Sequence, residues 1–375
     1  MKIVFASFIA NSRETGMGNW THRITESLLE AGHNVRLLFA EDFPNLVRMG
    51  AWGRNVYPLL LAARLFRWRG HFDVAVIHEP SGFWYGMLRR LGLVPAFVAV
   101  SHGVESRIFS EMEVATASGF AGVSRGARWK AALLRRWQAD GALRAADQIL
   151  CLAEADRVYL VKVLGVDSAR ITRVTNGVDS RPDISNRLGR TVLILGSWIP
   201  EKGSRIAPKI WERVIGEVPE AQLRVIGTGF REEEVLRTFS MMGKEQVRVV
   251  SWFREEALTE LARGASVFLL PSMREGSPLA LLEAMAMGLA PVAARVGGIP
   301  EILSGELEAL MYERFDVARA AELVIGLLRD PARAAAIGQL ARARAKELTW
   351  GRTAKLVESA CTLALEHRSR HILEH

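Results

Sequence analysis

One pattern constrains this chain more than any other: short, apolar, β-branched runs alternate with longer amphipathic stretches, and the alternation runs twice. In the first half the runs are 2–8, 34–40, 73–78, 96–101, 148–152 and 171–175. Helical patterns lie between them, such as 20–31, which puts Ile24, Leu28 and Leu29 on one face. Strands separated by helical crossovers pair in parallel and are covered on both faces. A polar connection, Asn176-Gly177-Val178-Asp179 and then Arg181-Pro182-Asp183, interrupts the pattern. It then restarts, with strands predicted at 191–195, 222–226, 246–250, 266–270 and 290–294 and helices at 205–217, 231–241, 255–263, 278–287 and 300–303. The C-terminus is helical at 317–329, 331–348 and 352–367. The reading is an α/β chain with two doubly wound parallel-sheet domains, 1–180 and 181–351. A last helix, about 352–375, is expected to pack back on the first domain.

A chain of 375 residues suits two domains of roughly 100–200 residues each. Cys151 and Cys361 stand far apart and form no paired metal spacing, a pattern of reducing compartments with no role for either thiol as ligand or nucleophile. The apolar run at the N-terminus is too short for a signal segment, and no stretch reaches the ~18 apolar residues of a membrane span. The expectation is a cytoplasmic protein, peripheral at most on the inner face of the cell membrane.

The formal net charge is +8, and residues 1–180 hold most of it, with 22 Lys and Arg against 16 Asp and Glu. Within 54–69, Arg54, Arg64, Arg67 and Arg69 face no acidic residue, and Tyr57, Leu61, Leu65 and Trp68 fall near one helical face. Within 124–144, six cations oppose only Asp140, and Trp129, Leu133 and Trp137 recur at every fourth position. Basic amphipathic helices with tryptophan suit an anionic lipid interface, so these stretches are a candidate membrane surface. The competing reading turns both apolar stripes into the core. Neither a recognition-helix motif nor an aromatic platform accompanies the basic charge, which argues against nucleic acid as a partner.

Four clusters sit where predicted strands end, the side of an open α/β sheet that binds ligands. The strongest is 271–288, Pro-Ser-Met-Arg-Glu-Gly-Ser-Pro followed by an apolar helix carrying Glu283. Ser277 is predicted as the N-cap and Pro278 as the first helical residue, leaving free N–H groups and a positive dipole end for a phosphate. Glu275 and Glu283, separated by turns of helix, suit the two ends of a long ligand; a carboxylate accepts well from vicinal hydroxyls. The second cluster, 196–203, joins Gly196 and Ser197 to Glu201, Lys202 and Gly203, a turn that can offer N–H groups and a cation to a diphosphate. The third is Gly16 and Gly18 after the first strand; it echoes a dinucleotide fingerprint, but Thr21 stands at the last position. The fourth is His102, directly after the run 96–101.

In this order the clusters resemble the retaining glycosyltransferases of family 4, together with Asn176-Gly177-Val178-Asp179, Gly227-Thr228-Gly229 and Val296-Gly297-Gly298-Ile299-Pro300-Glu301. The resemblance covers nearly the whole chain. It implies the GT-B fold, two Rossmann-like domains facing a central cleft. It also implies a nucleotide-sugar donor, UDP- or GDP-linked, with no metal and no other cofactor, and a glycan or lipid-linked acceptor in surface polysaccharide or glycoconjugate synthesis. By the same resemblance His102, Glu275 and Lys202 are the catalytic residues. Gly16, Gly18, Gly196, Ser197, Lys202, Gly227, Ser277, Leu279 and Glu283 hold the donor, with Glu283 on the ribose and Lys202 on the diphosphate. The chain departs from the family at Ser197, where an arginine often follows the glycine; Arg205 and Arg274 are the nearby candidates to replace it. The alternatives are an epimerase or a non-catalytic sugar-nucleotide binder on the same architecture.

Overall fold

The computed structural model describes residues 1–375 apart from 14, 44, 45, 47, 48, 50, 118–126, 185–188, 374 and 375; at 51, 52, 112–117, 127–133 and 368–373 it describes the backbone alone. Contacts divide the chain into two compact units, one built on Met1–Glu113, Val123–Thr175 and Trp350–His375, the other on Asn176–Thr349.

The first unit is a six-stranded parallel sheet in the order β2-β1-β3-β4-β5-β6: β1 (Lys2–Ala6), β2 (Asn34–Leu38), β3 (Val74–His78), β4 (Ala96–Ser101), β5 (Gln148–Cys151) and β6 (Ile171–Arg173). Its helices are α1 (Gly16–Glu30), α2 (Ala51–Arg67), α3 (Phe83–Arg90), α4 (Glu105–Ala117), α5 (Ala127–Ala145) and α6 (Glu154–Lys162). β3 and β4 are buried along their whole length, which is why they read as continuous apolar runs.

The second unit repeats the plan in the order β12-β11-β10-β7-β8-β9. Its strands are β7 (Thr191–Leu195), β8 (Gln222–Ile226), β9 (Val247–Val250), β10 (Ala265–Leu270), β11 (Ala290–Ala294) and β12 (Met311–Tyr312). Its helices are α7 (Ala207–Glu217), α8 (Glu232–Leu236), α9 (Leu258–Ala262), α10 (Leu279–Ala286), α11 (Ile299–Ile302), α12 (Val317–Arg329) and α13 (Pro331–Glu347). The last helix, α14 (Trp350–Leu373), packs on α1 and on β3, β4 and β5 of the first unit. There His33 Nε2 meets Glu358 Oε1 at 2.9 Å and Thr353 Oγ1 donates to the carbonyl of Thr175 at 2.6 Å.

Every strand predicted from the sequence is present, with ends shifted by two residues at most; the two-residue β12 was not foreseen. Three local expectations need correction. Gly16 and Gly18, expected only as a glycine turn after the first strand, lie within the first turn of α1, because Thr15 caps the helix by accepting from the N–H of Gly18 at 3.1 Å. The helix expected over 231–241 stops at Leu236, and 255–263 divides into a 3-10 turn, Glu255–Ala257, and α9. The stripe Tyr57, Leu61 and Leu65 is fully buried, so on α2 the apolar face turns inward. Trp68 is covered by the guanidinium groups of Arg36 and Arg64, 3.9 and 4.7 Å from its ring. For the stretch 124–144, residues 124–126 and the side chains of Trp129 and Leu133 lie outside the described residues. Trp137 is exposed, with its ring 4.3 Å from that of Phe83.

Candidate active site

The strand order reverses direction at one place in each sheet, between β1 and β3 and between β7 and β10, and ligands bind open α/β sheets where it does. In the second unit the segments that leave β7 and β10 are the clusters 196–203 and 271–278. They are laced together. The N–H of Met273 donates to the carbonyl of Glu201 at 2.9 Å, and the N–H of Gly298 to the carbonyl of Gly276 at 2.8 Å. A Cβ on Gly203 would overlap the carbonyl of Pro271, and one on Gly297 would overlap that of Glu275. Both glycines also have positive φ, 87° and 55°, so backbone approach and conformation together explain why glycine stands there.

The lacing brings Lys202 and Glu275 together. Lys202 Nζ lies 2.8 Å from both carboxylate oxygens of Glu275, and Ser272 Oγ donates to Oε1 at 2.7 Å. Glu275 is 5% exposed and Lys202 41% exposed, so the carboxylate is the buried anchor and the ammonium its accessible end. Glu283 lies in the middle of α10, where burial pushes its carboxyl up to about 7 against the pull of the Arg181 guanidinium. Arg181 Nη2 is 3.2 Å from Glu283 Oε1 and 3.3 Å from Glu255 Oε1.

Ser277 is not the N-cap. Pro278 takes that position, and no side chain caps α10. The Ser277 hydroxyl accepts instead from the backbone N–H of Asn176 at 2.9 Å, and Asn176 Nδ2 donates to the carbonyl of Ser277 at 2.6 Å. Leu279 is the first helical residue. Gly196 and Gly227 both adopt positive φ, 133° and 75°, at the ends of β7 and β8. Ser197 and Arg205 are exposed. Arg274 is half-buried, and its Nε makes no hydrogen bond to a described group.

In the first unit His102 follows β4 and lies over Trp20, ring centroids 5.2 Å apart and planes at 89°, with His78 4.9 Å away. Burial lowers His102 to about 4 and His78 well below the usual imidazole range, so both rings are neutral at pH 7. Neither ring nitrogen of His78, nor Nε2 of His102, nor Nε1 of Trp20 makes a hydrogen bond to a described group. Beside them Ser101 Oγ donates to Glu79 Oε1 at 2.6 Å, and burial raises the Glu79 carboxyl well above the usual range. His78 and Glu79 were missed in the sequence because they end an apolar strand as ordinary strand residues do; their position beside the reversal of strand order was the available signal. Cys151 and Cys361 are buried, with both thiols pushed up to about 12.

Two parallel six-stranded sheets, each with one reversal of strand order, give the chain the GT-B fold. A sucrose-phosphate synthase from Thermosynechococcus elongatus aligns over 96% of this chain and 97% of that one, with TM-score 0.71 and 17% identity. The Anabaena protein HepE in complex with UDP aligns over 96% and 99%, with TM-score 0.72 and 16% identity. In sequence, residues 15–181 match "Glycosyltransferase Family 4" and residues 189–330 match "Glycosyl transferases group 1". The chain belongs to the family 4 type of glycosyltransferases. Among curated relatives, a GDP-mannose-dependent monoacylated alpha-(1-6)-phosphatidylinositol monomannoside mannosyltransferase of Corynebacterium glutamicum is 31% identical over 199 residues, 50% of this chain and 51% of that protein. A UDP-Gal:alpha-D-GlcNAc-diphosphoundecaprenol alpha-1,3-galactosyltransferase of Escherichia coli is 23% identical over 76% of this chain and 72% of that one. This chain thus spans about half the length of the first of these relatives.

Proposed function

We propose that the chain moves a hexose-type sugar from a UDP- or GDP-linked donor to a glycan or lipid-linked acceptor, with retention at the anomeric carbon and without a metal ion. The observation that carries this reading is the Lys202–Glu275 pair on a laced loop at the β7/β10 reversal, with Glu283 in the helix that follows. Departure of a nucleoside diphosphate leaves negative charge on phosphate and positive charge on the sugar. Lys202 and the N–H groups at Ser277 and Leu279 meet the first, and the Glu275 carboxylate lies beside the second. Glu283 accepts from the ribose hydroxyls, and Gly16, Gly18, Gly196, Ser197 and Gly227 let the backbone approach the donor. His102, neutral at pH 7, bonds an uncharged sugar hydroxyl. The bond from the anomeric carbon to phosphate oxygen breaks, the acceptor oxygen bonds from the same face, and its proton leaves with the diphosphate. Among the described residues no three His, Cys, Asp or Glu side chains converge as a metal site.

The names of the relatives favour donors carrying GDP or UDP and acceptors anchored in lipid. A lipid-linked acceptor fits a first unit that docks on an anionic membrane at the cytoplasmic face. With the α2 stripe buried, the exposed apolar groups of 54–69 and 124–144 among the described residues are Leu59, Leu60, Leu134 and Trp137, with exposed Arg54, Arg67, Arg69 and Arg144. No helix among the described residues is long and apolar enough to cross a membrane.

The test is incubation with a panel of UDP- and GDP-hexoses and lipid-linked acceptors in EDTA, following release of nucleoside diphosphate and the product anomer by NMR. Retained configuration in EDTA is expected. An inverted product overturns the retaining reading, and loss of turnover in EDTA overturns the metal-free one. Tight donor binding with no turnover would assign the chain to the non-catalytic binders, the reading that exposed Ser197 favours. Flotation with phosphatidylserine vesicles tests the membrane face, and no binding at low salt sinks it.

A further inference from the structure

A strap of chain runs beside α10. At its start Asn176 is bonded twice to Ser277, just before the helix. At its end the N–H of Ile184 donates to the carbonyl of Met287 at 3.0 Å, just after the helix. Between these, the N–H of Val178 donates to the carbonyl of Leu348 at 2.9 Å. A strap fixed at both ends of α10 delivers Arg181 to its middle, where one nitrogen, Nη2, reaches both Glu283 and Glu255. Arg181 is 12% exposed and Glu283 18% exposed, so the pair is largely out of water. Arg181 Nε is buried and makes no hydrogen bond to a described group.

Glu283 needs this cation. Its helix neighbours Leu282 and Ala284 are buried. The charged groups that face it are Arg181 and Asp179 from the strap and Glu255 from the 3-10 turn before α9. Burial, Glu255 and Asp179 all favour the protonated carboxyl, and Arg181 alone opposes them. Two vicinal ribose hydroxyls are best accepted by an ionised carboxylate, which offers lone pairs on both oxygens; a protonated carboxyl spends one oxygen as a donor. Arg181 bonds Oε1 only.

We propose that Arg181 is a positioning residue for the donor: the strap holds its guanidinium against Glu283 so that the carboxylate stays ionised and fixed in one rotamer for the ribose hydroxyls. This rests on the reading of Glu283 as the ribose acceptor. It gives the connection 176–184, which reads as a plain linker, a part in donor affinity. It also separates Arg181 from the arginine that often precedes the lysine cluster in the family, because Arg181 acts on a carboxylate and not on phosphate.

The experiment has two readouts on the intact chain. The first is carbon-13 NMR titration of the glutamate carboxyls, with the Glu283 signal assigned from E283Q. Glu283 is expected to titrate near neutral pH in the wild type, a unit or more higher in R181M, between the two in R181K, and lower in E255Q. An unmoved Glu283 titration in R181M overturns the proposal; should R181M not fold, E255Q failing to lower the titration overturns it. The second readout is calorimetric affinity for UDP and GDP between pH 6 and 9. R181M is expected to bind roughly five- to tenfold more weakly at pH 7 and to approach the wild type at pH 9, since one unit of pKa is tenfold in the ionised fraction. E283Q is expected to stay weak at every pH. R181M affinity that parallels the wild type across the range overturns the proposal. A wild type that binds neither nucleotide overturns the donor reading of Glu283 and with it the donor role of Arg181, while the carboxyl titration still reports separately whether Arg181 governs Glu283.

Discussion

The two units place polar clusters at the same topological position and fill them with opposite electrostatics. In the second unit the groups are charged and paired: Lys202 with Glu275, Arg181 with Glu283 and Glu255. In the first unit His78 is buried and His102 and Glu79 are half-buried, no hydrogen bond joins any of them to a charged side chain among the described residues, and desolvation drives all three toward their neutral forms. The contrast follows from the burial of each group. A charge survives away from water only when a partner compensates it, and without one the group neutralises. A site made of fixed ion pairs suits an anionic ligand, whereas neutral imidazoles suit uncharged hydroxyls. On the function proposed above, the charged pairs of the second unit are the groups offered to phosphate and the neutral imidazoles of the first are those offered to hydroxyls.

The largest effect that tests this contrast is at Lys202. Lys202→Ala is expected to lower kcat/KM by about 10²–10³, the scale of removing one preorganised donor from a developing oxyanion. Turnover and donor affinity equal to wild type would remove Lys202 from the site.

The lacing comes next. Gly297→Ala adds a Cβ overlapping Glu275 and a positive-φ penalty, whereas Gly32→Ala, at φ 84° with nothing within 4 Å, adds the backbone penalty alone. Gly32→Ala is expected to cost about 1–2 kcal/mol in urea unfolding, and Gly297→Ala clearly more. Equal losses would mean that the loop yields freely and that its register is not fixed by this contact.

Arg181→Met sharpens the contrast through pH. The folded Glu283 carboxyl at about 7 lies above its ordinary value of 4.5, so its protonated form favours the fold. The stability it contributes is complete below 4.5 and is lost as pH rises through 7. Without Arg181 that loss extends to higher pH. Arg181→Met is thus expected to be nearly neutral at pH 5 and to cost about 1–3 kcal/mol near pH 9, the range for a hydrogen bond to a charged group. A loss independent of pH would point to packing alone.

The smallest effect concerns His102. Its folded value of about 4 lies below the ordinary 6.5, so its contribution to stability is complete above 6.5 and is lost as pH falls toward 4. His102→Gln is expected to shed less melting temperature than wild type between pH 6.5 and 4, and the wild-type rate profile should carry no limb near 6.5 from this residue. Such a limb, abolished by His102→Gln, would mean that the ring is charged in use.

The twofold α/β plan was legible because buried parallel strands leave continuous β-branched runs that no other element needs. The candidate residues of the second unit were marked in the sequence by their place after predicted strands, as with Gly203, Glu275 and Gly297, and their proposed roles by the family resemblance. Their pairing was not. Lys202 and Glu275 meet only when the segments from β7 and β10 are laid side by side, and Arg181 meets Glu283 only because a strap runs along α10. Spacing along the chain carries neither fact. The Thr15 cap and the Ser277 bond to Asn176 show the same limit, since a good capping residue caps only where no stronger partner claims its hydroxyl. The sequence left the α2 stripe open between core and membrane because a core-facing and a lipid-facing stripe share one periodicity; its burial in the fold decides for the core.

The most direct test of the central claim is calorimetric titration of the wild type and Lys202→Ala with UDP- and GDP-hexoses in EDTA. The account expects one nucleotide class to bind the wild type without metal and to bind Lys202→Ala far more weakly. Equal affinity for both proteins, or binding that disappears with EDTA, would contradict a metal-free donor site built on the Lys202–Glu275 pair.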